Sequence, residues 1–199
     1  MPKLPSDLSN MSKMKIVVIG DGGVGKSAII LQFMQKIFVE NHDPTIESTY
    51  YKNYEVDGEW SNLEVQDTAG QEEFASMRES YYRAANGFLI VFSLTTRESF
   101  EIVRRFFQSA LRSRDRDHFP MLLVANKTDL EMNRKVTTSE IESLAKELQI
   151  DYIETSAKNP PINIEDAFSQ IVRKIRSHQQ INDVKLKSRP RQKQKCCLM

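Results

Sequence analysis

One stretch combines four glycines, a lysine and a hydroxyl within eight residues: Gly20-Asp21-Gly22-Gly23-Val24-Gly25-Lys26-Ser27. Glycine tolerates positive φ, so successive backbone N–H groups can turn inward toward an anion. An apolar run, Met14–Ile19, precedes the loop, and a helix-compatible run, Ala28–Met34, follows it. In that order the loop meets a helix N-terminus, where partial positive charge collects. Strand, glycine-rich loop and helix at this spacing make a phosphate-binding loop. Lys26 would reach the β- and γ-phosphates, and the Ser27 hydroxyl would ligate Mg²⁺. The plain alternative is a glycine-rich turn that binds nothing.

Phosphate binding does not choose a base, but Asn126-Lys127-Thr128-Asp129 can. A carboxylate accepts well from two adjacent donors, and guanine offers N1–H and its 2-amino group as such a pair. Adenine has an acceptor at N1, so Asp129 would meet repulsion and stay unpaired. Asn126 could tie this loop to the phosphate loop, and Lys127 could lie over the base. Thr155-Ser156-Ala157-Lys158 could present a backbone N–H to guanine O6. Alone, Asn-Lys-x-Asp is also an ordinary surface turn.

These residues need elements to place them. Tyr50–Val56 is β-prone, Asp57-Gly58 is a hairpin turn, and Trp60–Gln66 returns with Leu63 and Val65 alternating. A polar helical stretch precedes Ala85. Gly87–Ser93 is a continuous apolar run, as a central parallel strand requires. Arg97–Arg114 is expected as one helix, Met121–Ala125 as a strand, Thr138–Leu148 as a helix, and Tyr152–Thr155 as a short strand. Ile164, Phe168, Ile171, Val172 and Ile175 stripe a last helix. The expected fold is therefore α/β, of the P-loop NTPase kind. Six strands form a mostly parallel sheet with one antiparallel edge strand, flanked by five helices. Ligands sit at the carboxyl ends of such strands, where the phosphate loop, Asp67, Asn126 and Ser156 all fall.

Composition is ordinary for a globular chain, at 40% hydrophobic and 28% charged residues. No run is long and apolar enough for a transmembrane helix. Net charge of +1 hides an asymmetry: residues 185–199 carry six bases and no acid, leaving 22 bases against 27 acids in the rest. A mildly acidic body argues against nucleic acid as a partner, and a basic tail points to an anionic membrane surface. Residues 1–12 are expected to be a flexible extension, 13–178 the folded domain, and 179–199 a disordered basic tail.

The chain resembles the small GTPases of the Ras family from about Lys15 to Ile175. Gly20–Ser27, Asp43-Pro44-Thr45, Asp67-Thr68-Ala69-Gly70-Gln71, Asn126–Asp129 and Glu154–Lys158 occur in that family's order. Asp21, Gln35–Val39 and Glu154–Pro161 look most like the M-Ras branch, near R-Ras. The resemblance implies GTP or GDP as ligand, Mg²⁺ as cofactor, and hydrolysis of GTP to GDP and phosphate. Gly20 through Ala28 would hold the phosphates, joined by Thr45 and Gly70 at the γ-phosphate. Mg²⁺ would be held by Ser27 and Thr45, and by Asp67 through water. Gln71 would orient the attacking water, beside Lys26 and Gly22. Phe38, Val39, Asn126, Lys127, Asp129, Ser156, Ala157 and Lys158 would hold guanine and ribose, although Phe38 also reads as a core aromatic.

Loss of the γ-phosphate would release residues 40–48 and 70–82, the switch for which Ras is a standard example. No arginine lies between Glu40 and Tyr50, so hydrolysis is expected to be slow until a GTPase-activating protein supplies one. An exchange factor would reload GTP. Effectors with Ras-binding domains would pair with the edge His42-Asp43-Pro44-Thr45-Ile46-Glu47-Ser48-Thr49-Tyr50. Two positions there depart from the family: His42 stands for the usual tyrosine and Ser48 for the usual aspartate. Cys196-Cys197-Leu198-Met199 fits a C-a-a-X prenylation box, with farnesyl on Cys196 favoured by the final Met. One lipid anchors weakly, and the basic run supplies the second signal. A monomer at the cytoplasmic face of the plasma membrane follows from these expectations. An ATPase or nucleoside kinase, and a binding module without turnover, are the competing classes.

Overall fold

A computed structural model describes residues 11–39, 47–68, 75–114 and 118–187. Among them are six strands: β1 Ser12–Gly20, β2 Glu47–Val56, β3 Glu59–Thr68, β4 Gly87–Ser93, β5 Met121–Asn126 and β6 Asp151–Thr155. The helices are α1 Lys26–Gln35, α2 Ala75–Ala84, α3 Arg97–Glu101, α4 Val103–Arg114, α5 Thr138–Leu148 and α6 Ile164–Lys187. The strands form one sheet in the order β2-β3-β1-β4-β5-β6. Every neighbour pair is parallel except β2 with β3. This is the expected sheet, with its one antiparallel strand at the edge.

Alternation along each strand divides the interior into two cores. Ile16 and Val18 of β1, Leu89 and Val91 of β4, and Leu122 and Val124 of β5 face α1 and α6. Their neighbours Val17, Ile19, Phe88, Ile90, Phe92, Leu123 and Ala125 face α2 through α5. That double burial explains the unbroken apolar run of Gly87–Ser93. In the first core Phe33 stacks on Phe168 at 3.8 Å between centroids and meets the edge of Tyr54 at 4.9 Å. Asp57 and Gly58 both have positive φ, 56° and 80°, as the tight β2–β3 hairpin requires.

Three local features differ from expectation. The helix expected over Arg97–Arg114 is two helices, joined at Ile102 (φ −86°, ψ −1°), whose carbonyl accepts from the Arg105 N–H three residues on, at 3.0 Å. Phe100 before the break and Val103 after it are both buried, so the kink turns both toward the second core. Thr128–Asn133 forms two short 3₁₀ turns that meet at a non-helical Leu130 (φ −99°, ψ 46°), where no element was expected. The last helix does not stop near Gln179: α6 continues to Lys187, beyond the last residue of its buried stripe, Ile175. Gln and Lys are good helix formers, so propensity extends a helix that packing has already nucleated. The N-terminal extension to residue 10 and the tail from residue 188, with Cys196, lie outside the described residues.

Candidate functional site

The parallel strands end together along one rim. Register aligns Val18 with Asp67, Gly20 with Val91, Ser93 with Asn126, and Asn126 with Thr155. The Gly20–Ser27 loop leaves β1 at this rim and feeds α1, whose first residues are Lys26 and Ser27.

Two glycines in the loop are sterically enforced. A Cβ on Gly20 would sit 2.1 Å from the Val91 carbonyl oxygen. A Cβ on Gly25, where φ is +97°, would sit 2.3 Å from Nδ2 of Asn126. Gly22 is different, with nothing within 4 Å of the same construction. Lys26 is only 6% exposed, and its ammonium donates to the carbonyls of Gly20 (3.0 Å) and Asp21 (2.7 Å). The Asp21 carboxylate accepts the Gly22 N–H at 2.8 Å. The loop thus curls around a buried cation at the start of a helix, which is the electrostatic preparation for a polyanion.

The Asn126–Asp129 segment is tied to that loop. Nδ2 of Asn126 donates to the Val24 carbonyl at 2.9 Å, and its Oδ1 accepts from the Thr155 hydroxyl at 3.2 Å. Lys127, with φ +74°, reaches across to the Gly23 carbonyl at 2.8 Å. Partial burial of that ammonium lowers its pKa, and Asp129 opposes the shift. The side chain of the exposed residue Asp129 accepts from the Ser156 hydroxyl at 2.6 Å through Oδ1. Ser156 also accepts the Lys158 N–H, at 3.1 Å, and so shapes the turn through Ala157.

Sequence reasoning missed two supports. Gln32 donates to the Ala157 carbonyl (2.9 Å) and to Oδ1 of Asn159 (2.8 Å), holding the Ser156–Lys158 turn from α1. Its signal was a buried amide within an otherwise apolar helical stretch, 1% exposed. The Thr155 hydroxyl, which fixes the Asn126 amide, had no comparable signal.

The remaining expected residues are placed as follows. Asp67 is buried at the end of β3, one residue before Thr68, whose hydroxyl donates to the Val18 carbonyl at 2.8 Å. Phe38 is half-buried and packs against the first core, while Val39 is exposed. Ala28 lies in the first turn of α1 and also packs on that core. Of the expected effector edge, Glu47 to Tyr50 belong to β2, with Ser48 opposite Asp67. His42, Asp43, Pro44, Thr45 and Ile46 lie outside the described residues, as do Gly70 and Gln71.

A hydroxyl at Ser27 and a carboxylate at Asp67 are hard oxygen donors of the kind Mg²⁺ takes. Among the described residues no group of three or more His, Cys, Asp or Glu side chains could hold a metal. No helix among the described residues is long and apolar enough to cross a membrane.

Comparison with known proteins agrees with this geometry. Residues 15–177 match the family model described as the Ras family. The chain is 50% identical over 163 residues to the Ras-like protein RAS2 of Hydra vulgaris, covering 82% of this chain and 84% of that one. It is 51% identical over 166 residues to the Ras-related protein R-Ras of Mus musculus, covering 83% of this chain and 76% of that one. The family match and these relatives, with a sheet of this order and a glycine-rich loop clamped to Asn126, show that the chain belongs to the Ras family of small GTPases, enzymes that hydrolyse bound GTP.

Proposed function

We propose that the protein is a membrane-anchored molecular switch that is active with GTP and inactive with GDP. The observation that carries the nucleotide part is the Asn126 amide, 2.9 Å from the Val24 carbonyl, which sets the base-reading loop at a fixed distance from the phosphate loop. Asp129 accepts from guanine N1–H and the 2-amino group, and the turn at Ser156, Ala157 and Lys158 donates a backbone N–H to O6. Phe38 and Lys127 flank the base, with Val39 beside the ribose. Gly20 to Ala28 hold the phosphates. Lys26 swings its ammonium from the loop carbonyls to the β- and γ-phosphates, exchanging neutral acceptors for charged ones.

Ser27 and Thr45, and Asp67 through water, would hold Mg²⁺, which would supply neutralisation of phosphate charge. Gln71 orients the attacking water rather than taking its proton, because an amide is no base at neutral pH. Thr45 and Gly70 touch the γ-phosphate, so its loss alters the surface around them. Hydrolysis is slow alone and is accelerated by an arginine from a GTPase-activating protein, an effect of roughly 10³–10⁵. An exchange factor releases GDP, and effectors with Ras-binding domains pair with the edge 42–50. Farnesyl on Cys196, with the basic run before it, holds a monomer to the anionic inner face of the plasma membrane.

Competition of GTP against ATP, followed by single-turnover hydrolysis with and without a Ras-type activating protein, tests the core of this reading. Preference for guanine with stimulated turnover is expected. Equal ATP binding, or fast turnover of the isolated protein, refutes it. Cys196→Ser abolishes partition of the processed protein to anionic vesicles; undiminished partition refutes the anchor.

A further inference from the structure

A cavity of about 450 Å³ opens at the pole of the sheet opposite the nucleotide rim. It lies where β5 begins at Met121, five residues from Asn126 at the other end. At strand rise that is roughly 17 Å, so the cavity is separate from the nucleotide rim. Phe107 and Leu111 of α4, Phe119, and Leu148 at the end of α5 make an apolar floor. Ile181 of α6, 54% exposed, stands at the mouth with no core to pack on. The volume falls within the range of small-ligand clefts, and the groove is open to solvent along one side.

Two cations, Arg173 and Lys174, line the rim, each paired with a carboxylate. Arg173 forks onto Asp57 with two 2.7 Å bonds, and Lys174 pairs with Asp151. Both carboxylates are more than half exposed, at 57% and 69%. Exposed pairs contribute little and exchange readily, so an incoming anion can replace either carboxylate. The helix that walls the cavity then runs on to Lys187, and residues 185–199 add six bases and no acid. An apolar floor, a cationic rim and a basic continuation select one ligand class, an acyl chain bearing a negative head.

We propose that this socket takes one acyl chain of an anionic phospholipid from the bilayer, with Arg173 and Lys174 on its headgroup. The choice of a bilayer lipid rests on the membrane-anchored reading above; the socket's chemistry does not. The test uses the full, unprenylated chain with GDP bound and dioctanoyl phosphatidylserine below its micelle concentration. Methyl NMR signals of Leu111, Leu148 and Ile181 report on the cavity. Saturable one-to-one shifts confined to these residues are expected, with dioctanoyl phosphatidylcholine at least tenfold weaker.

Leu111→Trp fills the floor and reduces affinity at least tenfold, leaving GTP hydrolysis unchanged. Ile181→Glu, at an exposed position that cannot unfold the core, does the same through charge at the mouth. Arg173→Gln with Lys174→Gln removes the preference for the serine head. Absence of saturation, equal affinity for both heads, or full binding by Ile181→Glu overturns the proposal. Because the lipid is soluble and the chain unprenylated, these outcomes are independent of whether Cys196 anchors the protein.

Discussion

Replacing Gly25 by alanine tests the clamp between the two halves of the site. Alanine would place its Cβ 2.3 Å from Nδ2 of Asn126, well inside contact distance. A side-chain terminus can often move aside, but this one is only 2% exposed and is held at Val24 and Thr155. Two costs follow. Left-handed geometry costs a residue with a Cβ about 1–2 kcal/mol. Displacing the amide leaves the buried Val24 carbonyl unpaired, at about 1–3 kcal/mol. A combined loss of about 3 kcal/mol corresponds to a fall in melting temperature of roughly 6–12 °C for a domain of this size.

The assay is thermal unfolding in excess GDP, with the dissociation rate of a fluorescent GDP analogue measured alongside. Both move for Gly25→Ala, and dissociation accelerates by roughly tenfold or more. The double variant Gly25→Ala, Asn126→Ala separates the two costs, since removing the amide removes the collision and leaves the φ penalty. Its loss is therefore smaller than the sum of the single losses. Additive losses, or a Gly25→Ala protein within 2 °C and twofold of the parent, refute the reasoning.

Gly22→Val is the contrasting case. Open space around Gly22 predicts unchanged folding and nucleotide affinity within about twofold, while stimulated hydrolysis loses the roughly 10³–10⁵ acceleration; single-turnover assays with and without an activating protein check both halves. Glu140 caps α5 by accepting the Thr137 N–H and also pairs with Arg97, which together lower its pKa from 4.5 to about 2. A depressed acid contributes stability above its unfolded pKa and loses it as pH falls through the folded one. Stability therefore declines between about pH 4.5 and 2, and Glu140→Gln flattens that portion of a urea-midpoint-against-pH curve. Ser48→Asp restores a carboxylate on the edge strand β2 and strengthens binding to Raf-type Ras-binding domains in calorimetry, an effect that weakens with salt.

Much of this molecule is written in local pattern. Gly87–Ser93 occupies the strand range its apolar run indicated, because both of its faces are buried. Glycines with positive φ mark the phosphate loop and the Asp57–Gly58 hairpin. The tie from Asn126 to the glycine-rich loop was legible because Asn-Lys-x-Asp follows a buried strand at the same rim. What local pattern hides is contact between distant segments. Gln32 meets Ala157 across 125 residues, and nothing near Gln32 encodes that partner. The break at Ile102 is hidden for a related reason: its apolar spacing satisfies a continuous helix, and only packing against β4 shows that the two halves turn independently toward the core. The extension of α6 to Lys187 shows the reverse, a helix outlasting the periodicity used to find it.

The Asn126 amide has a consequence for how two distant segments move. One planar group touches the loop after β1 through Val24 and the end of β6 through Thr155. At 2% exposure and bonded on both sides, it is already fixed, so neither segment can shift without breaking a bond that also orders the other. Loosening of one is therefore coupled to loosening of the other.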